Sequence, residues 1–310
     1  MKEHRLSLER IETAARTIDP VFLNTPQFES EPLSDELGMR LILKVEIVNP
    51  IRSFKGRGTD FLVSNLPTDS ATLVCASAGN FGQGLAYAAR KRGLPVVVFA
   101  AETANPLKLD CMRRLGADVR LVGRDFDAAK EHAHKFAEET GGCYIEDGRE
   151  PAIAEGAGSI AVELCRWKDP LDVVLFPLGN GALLAGVGRW MKARSPTTRV
   201  VAVCAAGAPS MALSLQAGTV HCTETANTIA DGIAVRVPVS EALDDLASVV
   251  DDVVLVEDEA IVQAMRLVLQ FHGLVLEPAG AAGVAAAMVF RDKFRGSRVA
   301  TLLSGGNTNL

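Results

Sequence analysis

Paired cysteines, basic stripes and long apolar runs are all missing from this chain of 310 residues. Each absence removes a class of function. The six cysteines, Cys75, Cys111, Cys143, Cys165, Cys204 and Cys222, are scattered and none forms a CxxC pair. That argues against a disulfide framework or a thiolate zinc site, and it points to a reducing, cytoplasmic setting. Histidine is scarce, and only His132 and His134 lie close together. Residues two apart on a helix face away from each other, so the pair reads as solvated side chains. Acidic and basic residues are mixed along the whole length for a formal charge of −6, leaving no stripe that could neutralise a nucleic acid backbone. No apolar run is long enough to span a bilayer. The first twenty or so residues, "MKEHRLSLERIETAARTIDP", are charged and amphipathic, which predicts a surface helix and not a secretion signal.

What is present is enough apolar residue, 48 %, for one large core or two medium ones. From about residue 40, short β-rich runs alternate with longer alanine-rich stretches. "LILKVEIV", "ATLVCAS", "LPVVVFA", "DVRLVG", "DVVLFPLG", "RVVAVCA", "VVLVED" and "VATLLSGG" read as strands. "FGQGLAYAARKRG", "PLKLDCMRRLG", "DFDAAKEHAHKFAEETGG", "AGSIAVELCRW" and "EAIVQAMRLVLQFHG" read as helices. Gly93 and Gly116 close two of them. This alternation implies an α/β protein with parallel sheets covered on both faces, and several strands are continuous apolar runs, as buried strands should be.

Ligands on such sheets gather where strands end and feed the next helix, and four loops of that kind carry unusual chemistry. "NPIRSFKGRG" (49–58) sets Lys55 between an aromatic ring and a glycine. "SAGNFGQG" (77–84) opens a helix on small residues. In "PLGNGALLAG" (177–186), backbone N–H groups at Gly179 and Gly181 could cradle an anion at a helix N-terminus. It is not a Walker loop, since no Lys-Ser/Thr pair follows, and Leu184 stands where a dinucleotide fingerprint needs its third glycine. A plain tight turn also fits these glycines, and Glu102 keeps a nicotinamide cofactor as an alternative. "SGGN" (304–307) puts Ser304 on the tip of the last strand.

In this order, "NPIRSFKGRG", "SAGNFGQG", "GNGALLAG", "TIADGIAV" (228–235), "EPAGAAG" (277–283) and "LLSGGN" resemble the fold-type II family of pyridoxal-phosphate enzymes. The likeness is closest to its serine/threonine dehydratase and serine racemase branch. It implies two parallel-sheet domains of the tryptophan synthase β-like kind with the cofactor between them: a large one from residues 1–71 and 150–310, and a small mobile one from residues 72–149. It implies that Lys55 forms the Schiff base with the cofactor aldehyde and removes the substrate α-proton. Phe54 and Gly232 would lie near the cofactor ring, Asn80 would hydrogen-bond its phenolic oxygen, and Ser304 would face its nitrogen. The loop Gly179, Asn180, Gly181, Ala182 and Leu183 would hold the phosphate, and Glu277 belongs to the same cofactor site. Ser77, Ala78, Gly79 and Asn80 would hold the substrate carboxylate.

The activity so implied is elimination of water from a β-hydroxy amino acid such as L-threonine or L-serine, giving a 2-oxo acid and ammonia, by a homodimer. Alternatives on the same cofactor are elimination from a 3-hydroxyaspartate or an aryl-serine, β-replacement and racemisation. Departures from the family pattern shape the expectation. Phe81 follows the loop asparagine where dehydratases commonly have histidine. Ala78 occupies the position of the racemases' second serine, which argues against racemisation. Cys204 stands where many relatives have a cation-binding glutamate, so no metal is expected. Asn180 and Ala182 replace common glycines. With the chain stopping after "SGGNTNL", no feedback domain is expected either, which favours a catabolic or specialised role.

Overall fold

The computed structural model describes residues 4–67 and 71–308. Its strands form two sheets. The larger runs in the order β1 (Gln27–Glu29), β2 (Arg40–Val45), β10 (Arg298–Leu303), β7 (Val173–Pro177), β8 (Arg199–Ala205) and β9 (Asp252–Val256). All its pairings are parallel except that of β1 with β2. The smaller sheet, β5 (Asp118–Leu121), β4 (Val96–Ala100), β3 (Leu73–Ala76) and β6 (Cys143–Tyr144), is parallel throughout.

Helices cover both faces of each sheet, for the reason the apolar runs predicted: β4 and β7 are buried at every residue, and side chains alternate between the two faces. On one face of the large sheet, Leu41, Leu43, Leu175 and Val203 pack with α2 (Glu31–Leu37), α11 (Asp258–His272) and α12 (Pro278–Val289). On the other, Ile42, Phe176, Ala202 and Leu302 pack with α1 (Leu8–Thr17), α7 (Pro151–Leu164) and α8 (Ala182–Arg194). The same cluster continues through α3 (Lys55–Ser64), α4 (Asn80–Lys91) and α5 (Pro106–Arg114) to the small sheet, whose far face takes α6 (Phe126–Thr140). Short helices α9 (Ser210–Ala217), α10 (Ser240–Ala247) and α13 (Arg291–Phe294) fill the connections.

Local signals explain the boundaries. Asn105 and Asp125 accept hydrogen bonds from the first turns of α5 and α6, and Gly141 ends α6 in the left-handed region. α7 starts at Pro151, well before the alanine-rich stretch that marked it in the sequence, because Pro at a first helical position costs no hydrogen bond.

Beneath α3 lies a fully buried ion cluster. Arg57 donates to both Glu46 oxygens, at 2.8 and 2.7 Å, and to both Glu163 oxygens, at 2.7 and 3.0 Å. Lys44 reaches Glu163 at 2.5 Å, and Ser159 and Thr25 complete the shell. Burial alone would raise the Glu163 carboxyl, but the hydrogen bonds and charge of Arg57, aided by Lys44, hold it down to about 2 against an ordinary 4.5.

The folded protein therefore binds this proton less readily than the unfolded chain. Its stabilisation is complete above pH 4.5 and is lost as pH falls toward 2. Acid denaturation should remove about 3 kcal/mol through this group. Glu163→Gln, which leaves Arg57 and Lys44 short of one negative charge, should cost about 3 kcal/mol or more at neutral pH and flatten the acid limb. Urea unfolding of both proteins across the acid range measures each effect.

Candidate active site

The approach to Lys55 is built by backbone and amide hydrogen bonds. Asn49 Oδ1 accepts from the N–H of Ile51 and Ser53, and its amide donates to the carbonyls of Glu46 and Ser53. Arg52 is thereby held at φ 52°, ordinary for glycine and uncommon for arginine. Phe54 N–H then donates to the Ser304 carbonyl and Gly306 N–H to the Arg52 carbonyl, fastening this loop to the tip of β10. Lys55 is the first residue of α3. Its side chain is 17 % exposed, and Nζ lies 2.6 Å from Asp147 Oδ2 and 4.9 Å from the Phe54 ring centre.

Lys55 points into a cavity of about 670 Å³ between the two sheets, at the C-terminal ends of β3, β4, β7 and β10. Every site residue read from the sequence lines it. Phe54, Lys55, Ser77, Ala78, Gly79 and Asn80 contribute, as do Gly179 to Leu183, Gly232, Glu277 and Ser304. Phe81, Ala101, Lys108, Asp147 and Asp231 line it too.

Several of these side chains are hydrogen-bonded to one another or to the backbone. Ser77 Oγ accepts from Gly79 N–H at 3.2 Å and Gly82 N–H at 2.9 Å, so its hydroxyl shapes the turn into α4. Asn80 donates to Glu277 Oε1 at 2.6 Å and accepts from Asn307 Nδ2 at 2.8 Å. Lys108, nearly buried, lies 2.7 Å from Asp231 and 3.4 Å from Glu277. Burial would pull Lys108 down, but the charges of Glu277 and Asp231 outweigh it and hold the ammonium above its ordinary value. Burial pushes the Glu277 carboxyl up, and the Lys108 charge offsets this only in part.

Asp147, Lys108, Asp231 and Asn307 escaped the sequence reading. Asp147 follows β6, whose two residues are too short for a periodicity signal. Lys108 and Asp231 belong to stretches that read as an ordinary helix and a plain motif. Their chemistry exists only because the two sheets face each other.

The cavity fits an aldehyde-bearing, phosphorylated aromatic cofactor. The Lys55 amine stands on one wall, and the N-terminus of α8 opens on the same space. Gly181 at its N-cap offers no side chain, and no acidic residue lies in the first turn. Its free N–H groups suit a phosphate. Glu277 Oε2, on the wall between, is buried with no hydrogen bond beyond its 3.4 Å ion pair with Lys108. Residues 18–305 match the family described as "Pyridoxal-phosphate dependent enzyme".

The chain belongs to that family. As a pyridoxal-phosphate dependent enzyme it is 35 % identical over 307 residues to the L-threonine ammonia-lyase of Thermotoga maritima, covering 98 % of this chain and 76 % of that one. It is 34 % identical to the biosynthetic chloroplast threonine dehydratase of Arabidopsis thaliana, of which it spans half, with 93 % of this chain covered. Among solved structures, a threonine deaminase from T.th. superposes with a TM-score of 0.92 at 35 % identity, covering 98 % of this chain and 99 % of that one. The chain is thus a pyridoxal-phosphate dependent lyase with two parallel-sheet units.

Just past β10, Gly305 has no room for a side chain. A Cβ on Gly305 would lie 2.0 Å from Glu277 Oε1 and 3.0 Å from Asn80 Nδ2. Gly305→Ala should therefore displace both groups and cost about 100-fold in turnover. Steady-state kinetics beside a thermal melt checks this, with a lowered Tm expected as well, because the displaced Glu277 is buried.

Proposed function

We propose that this enzyme eliminates water from a β-hydroxy amino acid, L-threonine or L-serine, to give a 2-oxo acid and ammonia. The observation that carries the reading is the Lys55 amine in a cavity shared with the uncapped start of α8 and with the Ser304 hydroxyl. The names of the relatives, threonine ammonia-lyase and threonine deaminase, support the same reaction.

Bound in the cavity, pyridoxal phosphate supplies an aldehyde that condenses with an amine and a ring that withdraws electrons from the substrate's Cα. The chain supplies the rest. Lys55 Nζ, freed when the amino acid takes its place, removes the proton from Cα. The N–H groups at the start of α4 that Ser77 Oγ leaves free would hold the substrate carboxylate, those of Gly79 and Gly82 being taken by that hydroxyl. The Gly179–Leu183 loop would hold the phosphate, Phe54 and Gly232 would lie near the ring, Asn80 would hydrogen-bond its phenolic oxygen, and Ser304 would face the ring nitrogen. The Ser304 hydroxyl, unlike a carboxylate, would not hold a proton on that nitrogen, which suits loss of the β-hydroxyl. The water lost from Cα–Cβ is regained when the amino group is hydrolysed off, so no oxidant is needed. Ala78 offers no proton from the opposite face, which disfavours racemisation.

In the same reading, residues 72–149 form a small mobile domain against the large one from 1–71 and 150–310, and the enzyme is a cytoplasmic homodimer. No helix among the described residues is long and apolar enough to cross a membrane.

The test is 2-oxo acid release by pyridoxal-phosphate-loaded protein over L- and D-serine, threonine, 3-hydroxyaspartate and phenylserine, with Lys55→Ala as the blank. Oxo acid from threonine or serine, absent in the variant, is the expected result. An intact visible cofactor band with no oxo acid from any substrate would move the assignment to β-replacement or racemisation.

A further inference from the structure

The contact between Lys55 and Asp147 has no part in the reaction as proposed. Asp147 Oδ2 is 2.6 Å from Lys55 Nζ, while Oδ1 is buried with no hydrogen-bond partner. A buried carboxylate oxygen without a donor is costly to keep. The turn that carries it is held firmly on both sides. Arg5 donates to the carbonyls of Gly148 and Arg149. Gly148, at φ 89°, lies so close to the Asn180 carbonyl of the phosphate-side loop that a Cβ would come within 2.3 Å of it.

The other charged groups around Lys55 are paired elsewhere. From α5, Lys108 is taken by Asp231 and by Glu277 at the start of α12. From α6, Lys130 pairs with Glu146 and Asp127 with Arg236, and Arg124 and Asp125 pair before it. Glu224 is exposed at the rim, and burial pushes the Tyr144 phenol up, so it stays uncharged. Among the described residues, Asp147 is the carboxylate in ion-pair contact with Lys55.

We propose that Asp147 is the positioning residue of Lys55. Its carboxylate pairs with the lysine nitrogen in its proton-bearing form and aims it into the cavity. As a fixed negative charge next to the nitrogen that must reach the substrate's Cα, it also disfavours amino acids carrying a second carboxylate. This rests on the reading of Lys55 as the lysine joined to the cofactor. It deepens that reading by selecting neutral β-hydroxy amino acids over 3-hydroxyaspartate. An opposite charge within a few ångströms favours the protonated form of a nitrogen, and like charges brought together in a desolvated site repel.

Wild type, Asp147→Asn and Asp147→Glu, all loaded with pyridoxal phosphate, are titrated with base while the visible band is followed. Their kcat/KM values are then compared for the best neutral substrate and for 3-hydroxyaspartate. The Asn variant should lose its band at lower pH than wild type. Its preference for the neutral substrate should fall about tenfold, with Glu restoring both in part. Asp147→Ser replaces the Asn variant if that one does not accumulate. Equal titration in wild type and variant overturns the pairing, and an unmoved ratio overturns the charge exclusion. A wild type with no visible band would sink the proposed function itself, a result separable from failure in the variant alone.

Discussion

The site depends on the buried cluster around Arg57. Two residues after Lys55, this guanidinium binds Glu46 at the end of β2 and Glu163 on α7 in paired hydrogen bonds, with Lys44 balancing the charge. Two cations and two carboxylates cancel, and their hydrogen-bonding groups find partners within the cluster. This is the condition under which buried ions are tolerated. The outcome is directional: α3 can begin only where Arg57 reaches both acids, so Lys55 is delivered to the cavity wall by an anchor below it. Above, the same loop is fastened to the tip of β10. A side chain held between a buried ion cluster and a strand end is fixed in direction.

Across the cavity the interactions have another character. Asn80 to Glu277, Asn80 to Asn307 and Lys108 to Asp231 each join a residue of the small-sheet half to one of the large-sheet half. They are polar contacts beside the cavity, next to the apolar cluster that joins the two halves through α3, α4 and α5. A ligand can replace them at modest cost, because each group exchanges one polar partner for another. Glu277 is the exception: buried, and with its carboxyl pushed up, it is the side chain on this seam least willing to be left charged and alone.

Chemistry follows from what faces what. A lysine on one wall, a helix start without a cap on another and a hydroxyl at the end of β10 form a set of groups with little redundancy. None of them is unusual as a residue type. Lysine is usually a solvated cation, and a serine at a strand tip is usually a turn. The arrangement gives them roles because parallel strands bring their C-terminal loops to the same edge.

The α/β class and most of the strands could be read from the residues without a structure, because buried parallel strands must be continuous apolar runs and such runs are visible in the chain. The four loops could be read too, since each follows a strand and their order along the chain resembles a known family; singly, such clusters also fit plain turns. Which ionisable groups meet was settled only when the chain folded. Asp147, Lys108 and Asp231 are each far along the chain from the residue they pair with, and a charge pair between distant segments leaves no period or spacing in the sequence. The beginning of α3 was likewise invisible: Phe54 caps it with no side-chain hydrogen bond. Its start is set by Arg57 seeking two acids from distant parts of the chain, Glu46 and Glu163.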